Sequence, residues 1–136
     1  FAAMKRHPVI GELVCGDLRS LRLVRPIVRH HHERLDGSGY PDALRGDSIP
    51  MLAQITGIVD VYDALTTERP YRRPLSKDAA LAELHREGQA GWRNIQLVGA
   101  FVDLVRTGQL DPVVPCGVAA RARPFALASQ LADLRR

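Results

Sequence analysis

The sequence has little from which to build a disulfide scaffold, a membrane anchor or an aromatic core. Its two cysteines, Cys15 and Cys116, stand far apart and form no CxxC pair. They read as free thiols of a reducing compartment, and without a cysteine pairing of zinc type nothing supports a closed structural zinc site. Aromatic residues make up only 5% of the chain. Lysine is nearly absent: Lys5 and Lys77 are the only two, so arginine carries almost all the positive charge. With 19 basic against 15 acidic residues the net charge is +4. That excess is too mild for a duplex nucleic-acid binder, and no DNA partner is expected. No apolar run approaches the roughly 18–20 residues of a membrane span. The chain opens on Phe1 without a visible secretory signal, which reads as a piece of a longer cytoplasmic protein. Neither an alternating strand pattern nor an internal repeat is present.

What remains is a helix-forming chain of 136 residues, 46% hydrophobic and 25% charged, long enough for one domain with a core. Ile10, Leu13, Val14 and Leu18 share one helical stripe after Pro8, which suits a first turn. A second helix is expected over about 22–34, its regular part over 26–34 after Pro26. The glycine- and proline-rich stretch 35–50 reads as a long loop, of a length that is usually functional when ordered. Over 51–67, Leu52, Ile55, Val59 and Tyr62 form a stripe that predicts a buried helix. Ser76 caps a helix to about residue 88, with Asp78 in its first turn. Asn94 caps another that ends at Gly108. Pro112, Pro115 and Gly117 mark a linker, followed by a short amphipathic helix over 125–135. The expected fold is all-α, with residues 1–111 as the main unit and 112–136 as linker and terminal helix.

Metal-competent side chains crowd the stretch "RHHHERLDGSGYP". Neighbours on a helix diverge by about 100°, so His31 and His32 would serve two adjacent ions better than one. His30 diverges further and drops out. Asp60 lies in an apolar helix, where an acid is seldom left without a partner or a metal. Asp63, three residues on, shares its face and suits a role orienting a ligand. Alone, His7 says little, and His85 reads as a solvated helix residue. The arginines at 69, 72 and 73, beside Tyr71, are fork-shaped donors suited to phosphate, or else a solvated loop. Gly37 and Gly39 permit positive φ and close approach of a ligand, to which Tyr40 could offer its ring or hydroxyl.

Taken together, "MKRHPVIG" and "HHERLDGSGYPDALRGDSIPMLAQITGIVDVYDALTTERPYRRPLS" closely resemble the HD-GYP family of bacterial cyclic di-GMP phosphodiesterases. The resemblance covers about residues 3–107. It implies an all-α helical bundle of the HD superfamily, truncated at its N-terminus, with two or three divalent ions, iron or manganese. By position, His7, His31, His32 and Asp60 resemble metal ligands, of which His31, His32 and Asp60 carry the catalysis. Gly39, Tyr40 and Pro41 match the GYP signature, and Arg69 and Arg72 the phosphate-binding positions. Glu33 and Asp36 are read as supports of the site and Asp63 as an orienting residue. No His-Asp dipeptide occurs in the sequence, so a chain of this length is expected to be inactive alone. The implied substrate is cyclic di-GMP. A diguanylate cyclase domain is an implied partner, docking through the GYP loop. The competing expectation is a non-catalytic signalling module that binds cyclic di-GMP or a partner protein, within a larger sensor or response regulator.

Overall fold

A computed structural model describes residues 4–16, 18–69 and 72–109. Five α-helices occur among them: α1 (His7–Gly16), α2 (Arg25–His30), α3 (Met51–Thr66), α4 (Lys77–Gln89) and α5 (Ile95–Arg106). Single turns of 3-10 helix cover Met4–Arg6, Arg19–Leu21 and Gly46–Ser48. No strand forms among the described residues; the one extended pairing is an isolated bridge between Arg69 and Arg72. The fold is all-α, as expected. Cys116, Tyr71, the linker after Asp111 and the helix expected over 125–135 lie outside the described residues.

Consecutive helices pack against one another, and α5 also returns to α3. Local chemistry sets their ends. The Ser76 side chain accepts from the Ala79 amide at the start of α4, and Asn94 accepts from the amides of Gln96 and Leu97 at the start of α5. Both bonds satisfy amides that a helix start leaves without partners. Gly108, at φ 70°, follows α5. The core lies between α3, α4 and α5. There Ile58, Leu84 and Val98 are buried against Val61, Tyr62, Leu97, Phe101 and Val102.

Three expectations need correction. On α3 the buried residues are Ala53, Gly57 and Ile58, whereas Leu52, Ile55 and Val59 of the predicted stripe are 59%, 39% and 45% exposed. The helix is apolar nearly all round, so its period fits more than one face; packing selected the face whose small residues admit close neighbours. On α1 the apolar stripe of Ile10, Leu13 and Val14 is exposed, and Leu18, expected on the same helix, lies beyond its end at Gly16 and is exposed too. The third concerns the helix expected to run on to residue 34, which stops at His30. The His31 imidazole takes up the Val28 carbonyl through Nδ1 at 2.8 Å, a carbonyl that a continuing helix would pair with a later amide. His31 and His32 therefore sit in the turn after α2 rather than on a helix.

Candidate metal centre and adjoining cleft

Because α2 ends where it does, the angular divergence of helical neighbours does not apply to His31 and His32. Their ring centroids are 4.1 Å apart, and each ring turns toward His7 at the start of α1. His7 Nε2 is 3.1 Å from His32 Nε2 and 3.4 Å from His31 Nε2. Two ligands on one ion with bonds near 2.0–2.1 Å stand about 3.0–3.4 Å apart at angles between square and tetrahedral. The observed separations are those of a coordination edge. The donor on His31 Nδ1 is engaged by the Val28 carbonyl, which leaves Nε2 as the lone-pair nitrogen. These three residues fit a divalent cation.

Asp60 comes from the middle of α3 and reaches the same place from the side. Its Oδ2 is 3.8 Å from His32 Nδ1, beyond a hydrogen bond. Burial first, then the neighbouring His31, hold the His32 imidazole down to about 4, with Asp60 opposing. His32 is thus neutral across the physiological range, with a lone pair to offer a cation. Asp63 is exposed on α3 and accepts from the Thr67 hydroxyl at 3.1 Å; no contact joins it to the imidazoles.

The loop after the histidines is held by acids. Glu33 is buried and accepts from the amides of Asp42 at 2.7 Å and Leu44 at 3.1 Å. Asp36 accepts from the Ser38 amide and hydroxyl, and those bonds hold its carboxyl below the usual range. A Cβ on Gly39 would stand 2.4–2.6 Å from the backbone of Glu33 and Arg34. That glycine serves close approach of the chain to itself rather than of a ligand, while positive φ is found at Gly37. Tyr40 stacks 4.8 Å from His32, and the peptide joining it to Pro41 is cis.

Beside the imidazoles opens a cleft of about 640 Å³, lined by His32, Tyr40, Asp60, Arg69 and Arg72 among others. Arg72 also donates to the Ala64 carbonyl at 2.7 Å, near the end of α3. The sequence reading missed several cleft residues: Lys5, Arg34, Glu87 and Arg93. Arg93, 7% exposed, donates to Glu87 at 3.0 Å. Its Nη1 also lies 2.6 Å from the place a Cβ on Gly57 would occupy, and the His31 carbonyl lies 2.4 Å from it. Gly57 is thus the gap through which Arg93 and the histidine turn meet α3. The Arg34 guanidinium lies 3.9 Å over the Trp92 ring. The available signal was "GWRN", a tryptophan and an arginine in the short turn between two capped helices.

The family model described as HD domain matches residues 1–93. The chain belongs to the HD domain family. Among curated relatives, the response regulator RpfG of Xanthomonas campestris, a cyclic di-GMP phosphodiesterase, is 50% identical over 86 residues, covering 62% of this chain and 23% of its own length. The cyclic di-GMP phosphodiesterase PA4108 of Pseudomonas aeruginosa is 43% identical over 109 residues, covering 77% and 25%. The 3'3'-cGAMP-specific phosphodiesterase 2 of Vibrio cholerae is 38% identical over 86 residues, covering 62% and 16%. The HD-domain chain therefore spans at most about a quarter of the length of these relatives. With the "HHERLDGSGYP" signature they mark it as an HD-GYP member. Among the described residues no helix is long and apolar enough to cross a membrane.

Proposed function

We propose that this chain is part of a metal-dependent phosphodiesterase that opens cyclic di-GMP in bacterial second-messenger signalling. The observation that carries the reading is the approach of His7 Nε2 to the Nε2 atoms of His31 and His32 at coordination-edge separations, beside a cleft rich in arginine. His7, His31 and His32 would hold one ion. Asp60 then orients His32 or, from the Nδ1 side of that ring, contributes to a second. The finer parts of the same reading are two or three ions of iron or manganese, a cytoplasmic setting, and docking of a diguanylate cyclase domain on the GYP loop.

Bound divalent ions supply Lewis-acid stabilisation of phosphodiester charge. The chain's own residues do the rest. The Val28 carbonyl fixes His31 in the tautomer that offers Nε2. Arg69 and Arg72, which line the cleft, would hold phosphate oxygens, a favourable electrostatic arrangement for a reaction at phosphorus. Tyr40, packed on His32, limits where the ligand can lie.

The test is turnover of cyclic di-GMP, with manganese or ferrous iron, by the longer protein that carries this sequence. Asp60→Ala should reduce hydrolysis to background. Full activity in that variant would overturn the role of Asp60, and binding without turnover in the unsubstituted protein would favour the non-catalytic module. The 136-residue chain, in which no His-Asp pair occurs, should show negligible turnover alone.

A further inference from the structure

We propose that Arg34 reads the edge of a guanine base in the cleft, so that the site prefers guanine-containing over adenine-containing cyclic dinucleotides. The inference rests on the phosphodiesterase reading, and it concerns the base rather than the phosphate.

Arginines in folded proteins ordinarily carry hydrogen bonds. Arg25, Arg29, Arg72, Arg86 and Arg93 do so here, while others, Arg69 of the same cleft among them, show no side-chain hydrogen bond among the described residues; Arg34 differs from these in being stacked on an aromatic ring. Arg34 lines the cleft, yet among the described residues its guanidinium has no hydrogen bond or ion pair at contact distance. It lies over the Trp92 ring, at 3.9 Å from the centroid. Stacking on an aromatic face fixes the plane of a guanidinium without using its N–H groups, all of which lie in that plane. A pre-oriented fork of unused donors therefore borders the cavity.

The fork matches two neighbouring acceptors. Guanine presents such a pair in N7 and O6, whereas adenine pairs the N7 acceptor with an N6 donor that would meet donors of the arginine. Phosphate also offers acceptors, but the imidazole centre and the arginines of the "RPYR" turn already supply places for it. Arg34 comes instead from the glycine loop, beside Ser38 and Tyr40 along the cleft. The flexible arm of a lysine would supply the charge without the fork.

Trp92 is the only tryptophan of the chain, so its emission reports directly on the partner of Arg34. The experiment titrates the 136-residue chain with cyclic di-GMP, 3'3'-cGAMP and cyclic di-AMP, following Trp92 fluorescence. Circular dichroism checks that Arg34→Lys and Arg34→Met fold. The unsubstituted chain should bind cyclic di-GMP roughly tenfold or more tighter than cyclic di-AMP, as a bidentate base contact implies. Both variants should bring the two affinities within about twofold, mainly by weakening cyclic di-GMP. A preference that survives in Arg34→Met overturns the proposal. So does an equal loss for all ligands, which would make Arg34 a phosphate contact; either result leaves the phosphodiesterase reading standing. Absence of binding by every dinucleotide overturns the inference and counts against the cleft as a cyclic-dinucleotide site.

Discussion

Two clusters of metal-competent side chains share one short turn, and they differ in how many lone pairs are left to offer a cation. In the first, His7, His31 and His32 bring ring nitrogens together. In the second, His30, Glu33 and Asp42 stand as close to one another. The difference is what already occupies the lone pairs. Asp42 is held by both arms of the Arg29 fork, at 2.6 and 2.8 Å, and Glu33 by two backbone amides. His30 Nδ1 is buried, 3.4 Å from Asp42 Oδ2, in poor alignment for a hydrogen bond. The second cluster contains its own cation and its own donors. Proximity of ligand-type residues is thus a weak criterion for a metal site; unspent lone pairs are the stronger one.

The largest effect should come from breaking the second cluster at its buried member. Glu33→Ala strands the amides of Asp42 and Leu44, and a buried donor without a partner costs about 1–3 kcal/mol. The expected loss is about 4 kcal/mol in urea unfolding, with Glu33→Gln, which keeps one acceptor, losing about half of that. A loss below about 1 kcal/mol for Glu33→Ala would show that the loop does not depend on this carboxylate.

The complementary change removes a ligand from the first cluster. His31→Ala should weaken manganese binding about a hundredfold, or about 2.7 kcal/mol, by calorimetry. Its fold should change little, since beyond the contact with His7 the side chain supplies only the one bond to Val28. His30→Ala should leave manganese affinity within about threefold, because His30 belongs to the other cluster. Equal losses in the two variants would erase the distinction between the clusters.

The same contrast explains what could be read from the sequence. Caps act locally, so Ser76 and Asn94 were visible before any fold was known, whereas the end of α2 at His30 was not, because it depends on the His31 side chain taking the Val28 carbonyl. The tandem histidines, Asp60 and the arginine turn were visible because their residue types are improbable where they stand. The burying face of α3 was not visible, because a helix that is apolar nearly all round has no single period to read. Periodicity also shows which side of α1 is apolar, but not whether the described residues cover it; Leu13 and Val14 remain 69% and 71% exposed. Arg34 and Arg93 were missed because each takes its meaning from a distant partner. Trp92 faces one. The other meets α3 at Gly57, and a mid-helix glycine reads in sequence only as a cost.

The smallest effect tests the cation that distinguishes the second cluster. Arg29 ties Asp42 in the loop to Glu12 on α1, at 2.5 Å from the latter. The Arg29 hydrogen bond holds the Asp42 carboxyl below its ordinary range. A depressed carboxyl stabilises the fold above its unfolded pKa, near 3.9, and that contribution disappears as pH falls through the folded value. Both side chains remain 28% and 31% exposed, so solvent screening keeps the contribution small. Arg29→Met should cost about 1 kcal/mol at pH 7. The difference between the two proteins should stay flat down to about pH 5 and narrow below about pH 4, as Asp42 takes up its proton in both. Manganese should not restore the lost stability, because Glu33 stays bonded to its two amides and only His30 and Asp42 would be left to bind the ion. Widening of the gap in acid would contradict the sign of the Asp42 shift. Rescue by manganese would show that Arg29 alone keeps the second cluster from being a metal site.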